Sequence, residues 1–80
     1  MKPALLIRPA LSAFVRELRA ARLHAGMTTG GLAKRAGMTR QGLDKIERGG
    51  DVTLGTVVLL ANALGCQIAD LFPRKSPWHH

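Results

Sequence analysis

The sequence predicts an all-α fold: one compact domain of five short helices preceded by an extended N-terminal arm. Three observations carry that prediction. Apolar residues recur at three- and four-residue steps through 11–72, the spacing that keeps them on one face of a helix. Thr28, Thr39 and Thr53 stand just ahead of three of these runs, where a side-chain oxygen can accept from a backbone N–H one turn on. Gly26, Gly37, Gly49 and Gly65 stand just after four of them, where a positive φ ends a helix at little cost. Aromatic residues make up 4% of the chain against 46% hydrophobic residues, so the core must be built from Leu, Ala, Val and Ile, as in small helical bundles.

Eighty residues make one domain. A chain of this size buries roughly 60–65% of the surface its unfolded form exposes, enough for a single core. Charge is the strongest functional constraint in the composition: twelve Lys and Arg against five Asp and Glu give a formal net charge of +7. So basic a domain points first to a polyanionic partner. Nucleic acid fits better than a membrane, because membrane binding needs a broad apolar helix face left exposed, and these helices need theirs for the core. No apolar run reaches transmembrane length, and Ala4-Leu5-Leu6-Ile7, closed by Arg8 and Pro9, is too short for the hydrophobic region of a signal peptide. Cys66 has no partner for an internal disulfide and, between Leu64 and Ile68, reads as a small buried hydrophobe. A cytoplasmic protein is expected.

Residues 1–10 carry Pro3 and Pro9 around four apolar residues, which suits an extended arm better than a helix. The arm is either a disordered leader or a segment in which Leu5, Leu6 and Ile7 pair with a second subunit. The domain proper, 11–72, begins with a helix that turns Phe14, Val15, Leu18, Ala21 and Ala25 inward and carries Arg16, Arg19 and Arg22 on its other face. A second helix follows Thr28, with Leu32, Ala33 and Ala36 inward. Gly30 and Gly31 fall in its first turn, where each costs somewhat less than the about 0.8–1 kcal/mol of a helix interior. Either they are merely tolerated, or their missing side chains let backbone N–H groups approach an anion. The third helix follows Thr39, with Met38 just before the cap, Leu43 and Ile46 inward, and Arg40, Gln41, Asp44, Lys45 and Arg48 outward. The fourth follows Thr53 with Leu54, Val57, Leu60, Ala61 and Leu64 on its core stripe, and Ile68, Leu71 and Phe72 predict a short fifth helix stopped by Pro73. Residues 73–80, PRKSPWHH, read as a flexible basic tail whose Trp78 could dock on a neighbouring subunit.

Two helices of about two turns each do not persist alone in water, so 27–49 must be held by the remaining helices, which leaves its polar outer face free for a partner. That stretch, MTTGGLAKRAGMTRQGLDKIERG, resembles the helix-turn-helix of the Cro/repressor (XRE-like) family. The resemblance continues through Thr53-Leu54 and Leu60-Ala61-Asn62-Ala63-Leu64-Gly65 to Ile68-Ala69-Asp70-Leu71, and spans 15–72. It implies a lambda-repressor-like domain that binds double-stranded DNA sequence-specifically and regulates transcription, as a homodimeric repressor on a two-fold operator. The residue roles it implies are Thr39 to a phosphate, Arg40, Gln41 and Lys45 to base edges, and Arg48 with the start of the second helix, Thr28 and Thr29, to the backbone. The family usually has a glutamine where Thr29 stands. Arg and Lys suit guanine O6/N7 and Gln suits adenine N6/N7, which supports the base-edge roles independently. Asp44 could accept from cytosine or only orient Lys45. Arg22 stands where the family often has an arginine paired with a glutamate of the recognition helix, here Glu47.

Val58 and Leu59 lie off the core stripe of the fourth helix, and the family usually has a polar residue at Leu59. Together with Phe72 and the Leu5-Leu6-Ile7 arm they mark an expected dimer interface. The segment 49–65 is also similar to antitoxins paired with HipA-type kinase toxins, which offers an alternative: an antitoxin that neutralises a toxin protein and autoregulates its operon. An enzyme has little material here. There is no Tyr, Cys66 reads as buried, and Ser12 and Ser76 have no His–acid set beside them. No cofactor is implied, and His79-His80, without a Cys or acid nearby, does not make a metal site.

Overall fold

The computed structural model describes residues 3–72, with side chains from residue 9 onward. Its elements are α1 (Pro3–His24), α2 (Thr29–Ala36), α3 (Arg40–Glu47), α4 (Leu54–Leu64) and a 3₁₀ turn (Ile68–Leu71). The all-α class is as the sequence predicts. The fifth element is a 3₁₀ turn rather than an α-helix, capped at Gln67, whose backbone N–H donates to Asp70 Oδ2 at 3.0 Å.

The extended arm is corrected. Residues 3–10 continue α1 toward the N-terminus. Pro3 stands at the first helical position, where the missing N–H has no intrahelical acceptor and the fixed φ is already helical. Pro9 lies inside the helix and leaves one i−4 carbonyl without its usual donor, a local loss that the surrounding helix carries. The side chains of Leu5, Leu6 and Ile7, and the tail 73–80 with Trp78, His79 and His80, fall outside the described residues.

The caps follow the residue chemistry. Thr28, Thr39 and Thr53 sit in extended conformation, and each Oγ1 accepts from the N–H three residues on, of Gly31, Gly42 and Thr56. At the turn between α2 and α3, Gly37 adopts φ +74°. Its N–H donates to the Lys34 carbonyl at 3.2 Å, and the Met38 N–H donates to the Ala33 carbonyl at 2.9 Å. This Schellman arrangement recurs at the other three α-helix ends and keeps every connection short.

One fully buried leucine comes from each element: Leu18, Leu32, Leu43, Leu60 and Leu71. Phe14, Ala21, Ala33, Ala36, Ile46, Val57, Ala61 and Ala63 complete the core, and α2 packs against both α3 and α4 while α1 packs on α3 and the 3₁₀ turn. Two expected core positions differ. Ala25 lies past the end of α1 and is exposed. Leu54 is 71% exposed, because the first helical residue after the Thr53 cap projects from the end of α4 rather than across its packed face. Of Ile68, Leu71 and Phe72, Leu71 alone is buried, and the other two are exposed. Cys66 is half-buried against the core, and burial together with the Asp70 carboxylate pushes its thiol pKa up, away from thiolate chemistry.

Candidate nucleic-acid interface

α3 is fixed in place from its inner side. Leu43, Ile46 and Glu47 are buried, and Glu47 is met by the Arg22 guanidinium in two parallel bonds, Nε to Oε2 at 3.0 Å and Nη2 to Oε1 at 3.2 Å. The Arg22 and Glu47 side chains are 12% and 5% exposed, so this is a shielded, bidentate pair. Arg22 also donates through Nη1 to the Met27 carbonyl at 3.0 Å, which ties the loop ahead of α2 to the same guanidinium. Arg19 adds a bond from Nη2 to the Glu47 backbone carbonyl at 3.2 Å and stands 3.8 Å from Glu47 Oε1. α1 therefore holds the C-terminal end of α3 through two arginines.

With that face anchored, the opposite one is open. Arg40, Gln41, Lys45 and Arg48 are exposed along α3. Gln41, Asp44, Lys45 and Arg48 line one shallow groove that ends at Gly49 and Gly50. Asp44 is half-buried and its Oδ2 accepts from Arg48 Nη2 at 3.2 Å, so its partner in this structure is Arg48 rather than Lys45. Gly50 closes the groove for a steric reason: a Cβ there would lie 2.8 Å from the Lys45 carbonyl oxygen, inside contact distance with backbone.

A second cleft joins the start of α2 to the start of α3. Arg22, Thr28, Thr29, Gly30 and Arg40 line it. The Gly31 N–H is already donated to Thr28 Oγ1 at 3.0 Å, so the anion-facing reading of that glycine does not hold for its own N–H. The N–H groups of Thr29 and Gly30 belong to the turn that an α-helix start leaves without intrahelical acceptors. At Thr39 the hydroxyl oxygen accepts from Gly42 at 3.0 Å, which leaves its proton to be donated outward.

Two features escaped sequence reasoning. Arg19 reads as one more exposed arginine on α1, and only the position of the Glu47 carbonyl gives it a role. Glu17 is buried, 3.9 Å from Arg16, although its sequence position carries no apolar signal. Among the described residues no group of His, Cys, Asp and Glu could hold a metal ion, and no helix is long and apolar enough to cross a membrane.

Two eight-residue helices joined by a left-handed glycine, the second with a polar, cationic outer face, define a helix-turn-helix protein that binds double-stranded DNA. A helix-turn-helix family model matches residues 18–71, and the chain belongs to that family, in its XRE-like (Cro/repressor) branch, as a DNA-binding transcription regulator. No curated protein matches the chain.

Proposed function

We propose that this protein is a repressor that binds a two-fold operator as a homodimer, with α3 in the major groove. The observation that carries this reading is the outer face of α3, where Arg40, Gln41, Lys45 and Arg48 are exposed together while Arg22 and Glu47 hold the helix from behind. Gln41 and Lys45 read base edges, with Arg40 at the first turn, which approaches bases most closely. Thr39, Thr28 and Thr29 hold phosphates, and Arg48, steered by Asp44, contacts the backbone. One such helix reads only a few base pairs, so selecting a site requires a second copy at a half-site about 34–36 Å away. Val58, Leu59 and Phe72 supply the apolar surface for it, with Leu59 47% and Phe72 43% exposed. Such a regulator meets its DNA in the cytoplasm.

Footprinting on DNA upstream of its own gene tests the reading. A protected, two-fold symmetric site is expected, with affinity falling roughly 10³–10⁵-fold between 50 and 200 mM salt if the dimer neutralises about six to ten phosphates. Leu59→Asp should leave a folded monomer by sedimentation, with poor affinity for that site. Salt-insensitive binding, or a dimeric Leu59→Asp at micromolar concentration, would overturn the corresponding half of the proposal.

A further inference from the structure

One side of α1 borders the core at Val15 and the DNA face at Arg48 but is covered by neither. Ser12, Val15, Arg16, Arg19, Ala20 and Leu23 recur at three- and four-residue steps and, with the end of α3 at Arg48 and Gly49, line an open groove. At 1.5 Å per residue the stripe runs about 16 Å, three helical turns. Its floor is apolar or small: Val15 and Ala20 are half-buried and Leu23 is 63% exposed. Its rim presents arginines outward: Arg16, Arg19 and Arg48 each lie within 4 Å of one carboxylate, of Glu17, Glu47 and Asp44, yet their side chains stay more than half exposed while Glu17 and Glu47 are buried beneath them. We propose that this groove docks an acidic amphipathic helix from a second protein, its apolar stripe on Val15, Ala20 and Leu23 and its carboxylates on the rim arginines.

The charge distribution selects that occupant. Of the five acids in the chain, Glu17 and Glu47 are buried and Asp44 is engaged by Arg48. Asp51 and Asp70 sit on separate segments, and residues 1–10 and 73–80 contain none. No element of this chain can offer an acidic helix face, so neither a second copy nor its own termini complement the groove. DNA backbone would match the arginines but leave the apolar floor without a partner.

The test uses the full-length protein and a synthetic helical peptide of about 14 residues with a Leu stripe flanked by Glu, beside the same composition scrambled and a Lys-flanked version. Amide NMR shifts are expected at Val15, Arg16, Arg19, Ala20 and Leu23 with the Glu-flanked helix alone. Ala20→Gln, which fills the groove without changing charge, and Arg16→Ala should each weaken that peptide about tenfold. Ala20→Gln should keep its affinity for mixed-sequence duplex DNA within about twofold, the change expected of a surface residue outside the DNA face. Shifts that map to α3 and are reversed by duplex DNA would mean simple polyanion binding and overturn the proposal. Equal binding of the scrambled peptide, or no binding at millimolar peptide, would overturn it as well.

Discussion

α2 and α3 are each eight residues long, each begins after a threonine whose Oγ1 accepts from a glycine N–H, and each is followed by a glycine of positive φ, Gly37 directly after α2 and Gly49 one residue beyond the Arg48 cap of α3. They share the run Thr-x-x-Gly-Leu-x-Lys, at 28–34 and again at 39–45, and in both the leucine, Leu32 or Leu43, is fully buried. Beyond that plan they diverge. The buried end of α2 is Ala36, whereas the corresponding residue of α3 is Glu47, anchored by Arg22 and Arg19. Outward, the first turn of α2 offers Thr29, Gly30 and Gly31, and that of α3 offers Arg40 and Gln41. Thus one helix is packed by small apolar residues and lets a partner come close to backbone, while the other is fixed by charge and projects long side chains.

The largest test of that difference is at Glu47. Glu47→Ala would leave Arg22 shielded without its carboxylate, a change that typically destabilises by about 3–5 kcal/mol, read as a lower urea midpoint. Replacing both partners, Arg22→Met with Glu47→Leu, should recover most of the loss. If the single variant unfolds no earlier than the parent, α3 is held by Leu43 and Ile46 alone and the contrast with α2 disappears.

Next come the projecting side chains. Gln41→Ala and Lys45→Ala should each lose about 1–3 kcal/mol on the operator and little on random DNA, whereas Arg48→Ala should weaken both alike. Binding titrations on the two DNAs decide it. Equal losses for all three variants would make α3 a purely electrostatic element, closer in kind to the start of α2.

The shared plan predicts a smaller, matched effect. Thr28→Ala and Thr39→Ala each remove one cap and should each cost about 1 kcal/mol in stability. Both variants are also expected to lose DNA affinity beyond what their destabilisation explains, on operator and random DNA alike, because both hydroxyls are placed on phosphates. Thermal unfolding run beside the DNA titration separates the two contributions.

Much of this plan is legible in the chain itself. Thr28, Thr39 and Thr53 ahead of apolar runs and glycines behind them locate α2, α3 and α4, since capping is local chemistry that needs no tertiary information. What escaped depends on neighbours distant in sequence. The prolines of 1–10 suggest a break, yet Pro3 at a helix start is harmless and Pro9 is carried by the helix around it. Leu54 matches the core spacing of α4, but periodicity does not say that the first turn extends past the element it would pack on. The Asp44–Arg48 pair is not the one the sequence suggests, which offers Asp44 cytosine or Lys45; exposed side chains on one helix face have several partners within reach. The bond from Arg19 to the Glu47 carbonyl could not be read at all, since a backbone acceptor carries no residue signature.

The smallest expected effect lies at Gly30, and it has opposite signs in the two assays. A Cβ on Gly30 would stand 3.8 Å from Arg40 Cδ, an ordinary contact, so Gly30→Ala fits without displacement. Replacing a helical glycine by alanine narrows the unfolded ensemble, and at this first-turn position the gain should be about 0.5 kcal/mol. The neighbouring Gly31 behaves differently: its Cβ would lie 3.2 Å from Thr28 Oγ1, so Gly31→Ala must push the capping hydroxyl and should gain less or nothing. In the cleft shared by Arg22, Thr28, Thr29 and Arg40, however, the Gly30 methyl would occupy space beside the free N–H groups of the helix start. Gly30→Ala is therefore expected to unfold at a higher urea concentration and yet bind operator and random DNA a few-fold less tightly, by equal factors. If affinity is unchanged while stability rises, the glycine is only tolerated, and α2 contributes no close backbone approach to DNA.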